Sequence, residues 1–503
     1  MTTMGSVIKT TTLTRTPLGF ETVDVQLSVS RYGLPDIEII GLVSKSISES
    51  KRRIRSAFAS VGIRLPKHRA VVSLFPSDLP KVGTIADLAI AAGFVSYATG
   101  MKYPTGTVFI GEVGLDGGIG PIPNIYSIIY HCYKNSISSI ALPLLCKDEL
   151  DGLPSALYKN ITFFLISSIK DLSSLGSCKY RVVCNTHPNT PKGDFLRSFQ
   201  STYHVDMIRG NNVAKRALTI AAAGGHSLLL IGSPGVGKSL LGSALVDLLP
   251  DLSQEEHLAS CNMRLLNSNT NIPYNLRPSL RSPHHTISKT ALLGGKYGYG
   301  EISLSNKGVL FLDELGEFSR DLLESLRTVI EQRKFVYSIK GKTYEYPADF
   351  LLVACTNSCP CGNYGDPEKH CGCSPNQVRK YLDKFSGPFL DRIDMVVSLT
   401  NSTALSTSSA EVVLSKINMA RGIQARVLND EDGIDCNSHI PMDKLPLYFT
   451  FTGDIKSICS KYDLSERAVD SVKRLALTIA NLDGRACVEE KDILEALVYK
   501  KKL

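Results

Sequence analysis

The sequence predicts an α/β fold organised around a parallel, helix-covered sheet, and three apolar runs carry that prediction. Leu228–Ile231 is four aliphatic residues in a row, Val309–Leu312 is a second such run, and residues 348–354 contain a third. Runs without strict alternation suit strands buried on both faces of a parallel sheet. Helical periodicity lies between them, as an α/β domain requires.

The first run leads into Gly232, Ser233, Pro234, Gly235, Val236, Gly237, Lys238 and Ser239, and a helical pattern follows. A G-x-x-x-x-G-K-S segment between strand and helix is a P-loop. Its glycines let backbone N–H groups close around a polyphosphate, Lys238 reaches the β and γ phosphates, and the Ser239 hydroxyl ligates Mg²⁺. The second run ends at Asp313 and Glu314. There Asp313 would hold Mg²⁺ and Glu314 would orient and deprotonate an attacking water. Two acids after a strand also fit a helix start, but their pairing with the P-loop favours the nucleotide reading.

The chain has 503 residues, 43% hydrophobic and 21% charged, with a net charge of +8. That length implies two to four domains, and the composition is that of an ordinary globular protein. The mild positive charge permits a nucleic-acid partner without demanding one. No apolar run reaches the ~20 residues of a membrane span, and residues 1–13 lack a signal-peptide core. The expected location is therefore the cytoplasm, away from membranes. Thirteen cysteines without a secretory signal favour reduced thiols, and a metal site where they cluster.

Residues 7–175 alternate short β-like runs with helices. Residues 23–29 alternate with period two, 70–75 read as a buried strand, and 84–95 as a helix. A helix over 44–59 carries Lys51, Arg52, Arg53 and Arg55, read as a solvated face with a phosphate-binding patch as the alternative. Residues 178–201 lose periodicity around Pro188, Pro191, Lys192 and Gly193 and mark a linker. Residues 205–211 then open a helix running to Ala223. Beyond a Ser/Thr-rich stretch at 401–409 the chain is helix-rich, with amphipathic runs at 468–480 and 488–499. The expected domains are 1–177, a linker at 178–203, the nucleotide-binding core at 204–400, and a helical 401–503.

With the P-loop and Asp313-Glu314, three segments complete a recognisable set: Ser282-Pro283-His284-His285, Gly300 to Leu304, and Ser386-Gly387-Pro388-Phe389-Leu390-Asp391-Arg392. Together they resemble the ComM/YifB family, bacterial AAA+ ATPases related to the magnesium chelatase subunit, over nearly the whole chain. The resemblance implies an N-terminal domain like that of Lon protease (ribosomal protein S5 domain 2-like), a AAA+ core and a C-terminal helical lid. It implies ATP and Mg²⁺ as cofactors and a homo-hexamer acting on single-stranded or branched DNA as a helicase in branch migration or natural transformation. It further assigns Asn357 as sensor 1, Arg392 as an arginine finger offered to a neighbouring subunit, and Arg467 as sensor 2. Each arginine alone also fits a surface ion pair.

Residues 336–346 alternate around Lys340-Gly341-Lys342 and read as a β-hairpin. In related ATPases such a hairpin faces the ring pore. Lys340 and Lys342 would grip phosphates there and Tyr337, Tyr344 and Tyr346 would stack on bases; a solvated turn fits the same pattern. The His284–His285 pair and the glycine-rich 294–300 read as a second inserted loop. Cys359, Cys361, Cys371 and Cys373 pair tightly within an insertion at 359–373, which suits tetrahedral Zn²⁺ with His370 as a substitute ligand; free thiols are the alternative.

Where Lon proteases carry a serine nucleophile, this chain reads Lys81 to Leu88 without a serine, and residues 117–122 lack the base lysine. Acyl-enzyme chemistry is excluded by that route, so the N-terminal domain is expected to be a non-proteolytic interaction module. Gly316 stands where the family commonly has proline. The competing function is a chelatase-type chaperone that remodels a protein partner or drives metal insertion. The sequence shows no tetrapyrrole or metal-adhesion partner domain, which counts against it.

Overall fold

The computed structural model describes residues 7–180, 210–267, 276–399, 409–428 and 433–500, apart from 31, 33, 42–44, 82, 340, 366–368, 386 and 463. Most of the expected linker, the Ser/Thr-rich stretch, and Lys340 lie outside the described residues. The chain divides into two compact units, 1–194 with 261–274, and 195–260 with 275–503.

The first unit is built on a mixed sheet of eight strands among the described residues. Ile8–Thr16 and Gly19–Val29 pair as an antiparallel hairpin, with Ala70–Phe75 antiparallel to the second of them. Along Gly19–Val29, Val23, Val25 and Leu27 are buried while their neighbours are not, so the period-two pattern marks one covered face. The helices Lys45–Val61 and Asp87–Thr99 cover that face, sharing a core with these valines.

The helix expected over 84–95 begins three residues later and ends four later. Its displaced start has a local cause. Ile85 gives its carbonyl to the Gly111 N–H, and the Leu88 N–H bonds back to the Gly111 carbonyl, so these groups serve a neighbouring loop. Lys81, in the Lon-like segment, is fully buried and donates its ammonium to the Pro76 carbonyl.

Arg53 corrects the expectation of a solvated basic face. It turns inward, donating from Nε to the buried carboxylate of Asp87 at 2.9 Å, and Ser50 Oγ donates to the other carboxylate oxygen. Arg55 keeps the expected surface character, pairing with the exposed Asp36.

Among the described residues the second unit carries a five-stranded, all-parallel sheet in the order Leu280–Arg281, Val309–Leu312, Leu351–Thr356, Leu228–Ile231, Met395–Ser398. Its side chains alternate between two cores. Leu228, Leu230, Val309, Phe311, Val353 and Cys355 face one; Leu229, Ile231, Leu310, Leu312, Leu352 and Ala354 face the other. Both faces are dry, which is why these strands read as unbroken apolar runs. The third begins at Leu351 rather than Ala348, because the Ala348 N–H bonds to the Arg333 carbonyl and the Asp349 N–H to the Asn306 side chain.

The C-terminal helices Ala410–Val427, Glu466–Leu482 and Glu490–Val498 pack into the core that covers the first of those faces. Asp394 ties them to the sheet, accepting from Ser471 Oγ at 2.6 Å and from the Ser227 N–H at 3.1 Å. No helix among the described residues is long and apolar enough to cross a membrane.

Burial pushes the Asp87 pKa up from 3.8 to about 6, against the opposing pull of the Ser50 hydrogen bond and the Arg53 charge. A carboxyl whose folded value lies above its unfolded one stabilises at low pH and loses that contribution as pH rises through the folded value. The loss here amounts to about 2–3 kcal/mol between about pH 4 and pH 7. In urea unfolding, Asp87→Asn should therefore gain on the wild type across that range. A variant-minus-wild-type difference that stays flat with pH would refute the assignment.

Candidate nucleotide site

Register builds the site. Leu228–Ile231 pairs with residues 353–356, and Val309–Leu312 with 351–354, so all three strands deliver their next residues to one edge of the sheet. Gly232, Asp313 and Asn357 emerge there together. This is the carboxyl edge, where ligands bind in open parallel sheets.

The P-loop turns through Gly235 at φ +88° and Gly237 at φ +87°, left-handed conformations that side-chain-bearing residues resist. Gly237 caps the helix Lys238–Leu248, whose first N–H groups carry no intrahelical partner and favour an anion. Lys238 donates to the Gly232 carbonyl at 2.6 Å, to the Ser233 carbonyl at 3.3 Å and to Asn357 Oδ1 at 2.7 Å. Burial lowers the pKa of its ammonium, with Asp313 and Glu314 among the acids that oppose the shift.

Ser239 Oγ donates to Asp313 Oδ2 at 2.8 Å. A hydroxyl and a carboxylate thus lie side by side at a helix start, the oxygen donor set a hard divalent cation takes, so the residues fit Mg²⁺. Glu314 comes next at φ +52°, its N–H bonded to Asp313 Oδ1 at 2.9 Å and its side chain 63% exposed.

His285, read from the sequence as part of an inserted loop, joins this edge. His285 Nδ1 lies 3.7 Å from Glu314 Oε2 and its ring stacks beside His284 at 4.1 Å between centroids. The signal was present in the topology: Leu280–Arg281 is the strand next to Val309–Leu312, so the segments leaving the two strands are neighbours. Gly316 also has a steric account, because a Cβ there would lie 2.3 Å from the Tyr381 hydroxyl.

Arg392 and Arg467 lie elsewhere. Arg392 precedes Met395–Ser398, and its carbonyl accepts from Ser227 Oγ at the amino end of the P-loop strand. Five strand steps separate Ser227 from Gly232, about 16 Å. Both arginines grip Glu331, Arg392 at 2.7 Å and Arg467 at 3.0 Å, and the hydrogen bond from Arg392 holds that carboxyl below its ordinary range. They line a cleft of about 440 Å³ with Arg333, Asp349 and Arg474. Sequence reasoning found both arginines and missed Glu331.

The expected hairpin is present as Lys334–Ile339 and Lys342–Pro347, with Ile339 opposite Lys342. Lys342 is placed at its tip. Tyr337 and Tyr344 face each other across it, but Tyr346 is not available for stacking: it is fully buried, its hydroxyl donating to the Gly295 carbonyl at 2.6 Å. The inward face of this strand end packs on Tyr299 and Phe335. A small second hairpin, Gly294–Gly295 with Gly298–Tyr299, instead offers Tyr297, 84% exposed, beside Lys296.

The four cysteines converge. Cys359 Sγ lies 3.4 Å from Cys361 and 3.7 Å from Cys371, Cys361 lies 3.6 Å from Cys371, and all four sulfurs fall within 4.8 Å of one another. His370 is not needed to complete the set.

Comparison with known proteins identifies similar chains. Residues 204–407 match the family model for magnesium chelatase, subunit ChlI; residues 24–145 match that for subunit ChlI of Mg-chelatase, and 407–500 its C-terminal model. Over 95% of its length the chain is 32% identical to the competence protein ComM of Haemophilus influenzae, covering 94% of that protein. It is 31% identical to the uncharacterised YifB of Escherichia coli, covering 97% of this chain and 96% of YifB. A Lon protease of Chloroflexus aurantiacus is 26% identical over 188 residues, 36% of this chain and 23% of the protease.

Asp313→Asn would remove the charged member of the oxygen pair that fits Mg²⁺ and leave the P-loop sequence intact. Nucleotide binding in Mg²⁺ should weaken about 10- to 100-fold, while binding in a chelator stays close to wild type. Equal losses in both conditions would contradict the assignment.

Proposed function

The chain belongs to the ComM/YifB family of magnesium-chelatase-related AAA+ ATPases, and on that premise we propose that it is a hexameric motor coupling ATP hydrolysis to movement on single-stranded or branched DNA. One observation carries the reading. Lys238, Ser239, Asp313, Glu314 and Asn357 share the carboxyl edge of the sheet, while Arg392 lies at the other end, its carbonyl held by Ser227, with Arg467 beside it on Glu331. From there we read Arg392 as completing a neighbour's P-loop, exchanging Glu331 for its phosphate.

The residues divide the work. Backbone N–H groups of residues 232–239 enclose the phosphates, and Lys238 exchanges Asn357 and the two carbonyls for the β and γ oxygens. Ser239 and Asp313 would hold Mg²⁺, which would supply neutralisation of phosphate charge. Asn357, released by Lys238, positions the attacking water, and Glu314 accepts its proton as the bond from the γ-phosphorus to the bridging oxygen breaks. Arg392, with Arg467 beside it, neutralises the charge developing across the subunit boundary.

Lys342, Lys296 and Tyr297 give the proposed DNA surface, to which the sequence reading adds Lys340, outside the described residues. Two hairpin tips with lysines and an exposed tyrosine suit phosphate contact and base stacking. A chelatase-type remodelling of a protein partner is the competing reading; the ChlI family models alone favour it.

Glu314→Gln should keep ATP binding and lose turnover by at least about 100-fold. Arg392→Ala should lower kcat by about 10³-fold with binding intact. Mixed assemblies of the two variants should regain part of the hydrolysis if the arginine acts across subunits; no regain would refute a role in trans. Hydrolysis by the wild type should rise with single-stranded or forked DNA, and Lys340→Ala with Lys342→Ala should abolish that rise. Indifference of the wild type to every DNA form would reject the motor.

A further inference from the structure

The cysteine quartet lies against the nucleotide site. Cys359 is fully buried two residues beyond Asn357, and the Tyr364 N–H donates to its sulfur at 3.3 Å. Gly362, at φ +83°, presses its backbone onto the P-loop: a Cβ there would stand 2.6 Å from Pro234 Cδ and 3.8 Å from Asn357 Cγ.

The second cysteine pair leads into the helix Pro375–Leu382, fixed at its start by a Ser374–Gln377 capping box. That helix returns to the same strand end, where its Tyr381 hydroxyl meets Thr356 Oγ1 at 3.0 Å. Joining Cys359 and Cys361 to Cys371 and Cys373 therefore closes a loop that rests on Pro234 and begins at Asn357.

The sulfur geometry fits one occupant. Zn–S bonds of about 2.3 Å in a tetrahedron put the sulfurs about 3.8 Å apart, and the separations among Cys359, Cys361 and Cys371 are 3.4, 3.6 and 3.7 Å. Four thiolates close a tetrahedral site without an open position, which marks a structural metal.

We infer that Cys359, Cys361, Cys371 and Cys373 form a structural zinc site that braces Pro234 and Asn357, making nucleotide binding dependent on zinc. The brace rests on the nucleotide-site reading given above. Zinc takes no part in the hydrolytic step; it fixes one wall of the pocket. Without it the 359–373 loop regains conformational freedom, and the contact of Gly362 with Pro234 is no longer enforced.

The test uses the full chain purified without added metal. Elemental analysis should find one zinc per chain, and cobalt exchanged into the site should give the visible absorption of tetrahedral thiolate ligation. Stripping the metal, or Cys371→Ser with Cys373→Ser, should weaken binding of a fluorescent ATP analogue about tenfold, with zinc restoring the stripped wild type. Gly362→Ala keeps every ligand and should retain zinc while still weakening nucleotide binding.

Less than about a third of an equivalent of zinc, without a cobalt–thiolate spectrum, overturns the metal site. A full equivalent whose removal leaves nucleotide affinity unchanged, or unchanged affinity in Gly362→Ala, overturns the brace and leaves the metal site standing. Failure of the zinc-loaded wild type to bind nucleotide would count against the nucleotide reading instead.

Discussion

The in-register pairing of Leu228–Ile231 with residues 353–356, and of those with Val309–Leu312, is the constraint on which the second unit depends. A slip of one residue would exchange the two buried faces of a strand, moving Leu230 and Val353 from one core to the other. The same register shapes the candidate site, because Lys238, Asp313 and Asn357 are placed by where their strands stop. Core packing and the geometry of that site are thus set by one set of backbone hydrogen bonds.

The opposite end of the sheet has a different character. Ser227, Asp394 and Ser471 knit the strands to the C-terminal helices, and Arg392, Arg467 and Glu331 gather beside them. Desolvation is incomplete there, with Glu331 nearly half exposed and Arg392 at 12%. Charge pairs in such a setting contribute modestly to stability, so their arrangement is better explained by what the arginines can do than by what they hold together.

Much of this was legible in the residue order. Buried parallel strands announce themselves as unbroken aliphatic runs, and a P-loop is a local pattern whose glycines dictate its backbone. The cysteine pairs were legible for the same reason, since one short loop brings the sulfurs together. What escaped reading was non-local. Arg53 looked solvated because Asp87, its buried partner, is 34 residues away. Tyr346 looked available because alternation does not say which strand end a second hairpin will cover. The contact of His285 with Glu314, and the whole of Glu331, became visible only once the sheet order put one strand's exit beside another's and distant segments gathered around one cleft.

Glu331 has a wider consequence. Arg392 and Arg467 each meet it through one guanidinium nitrogen, so both are already engaged by a carboxylate within the chain. Under the proposed function, a phosphate reaching either arginine would compete with this carboxylate. Glu331 would then set how strongly charged an anion must be to take its place.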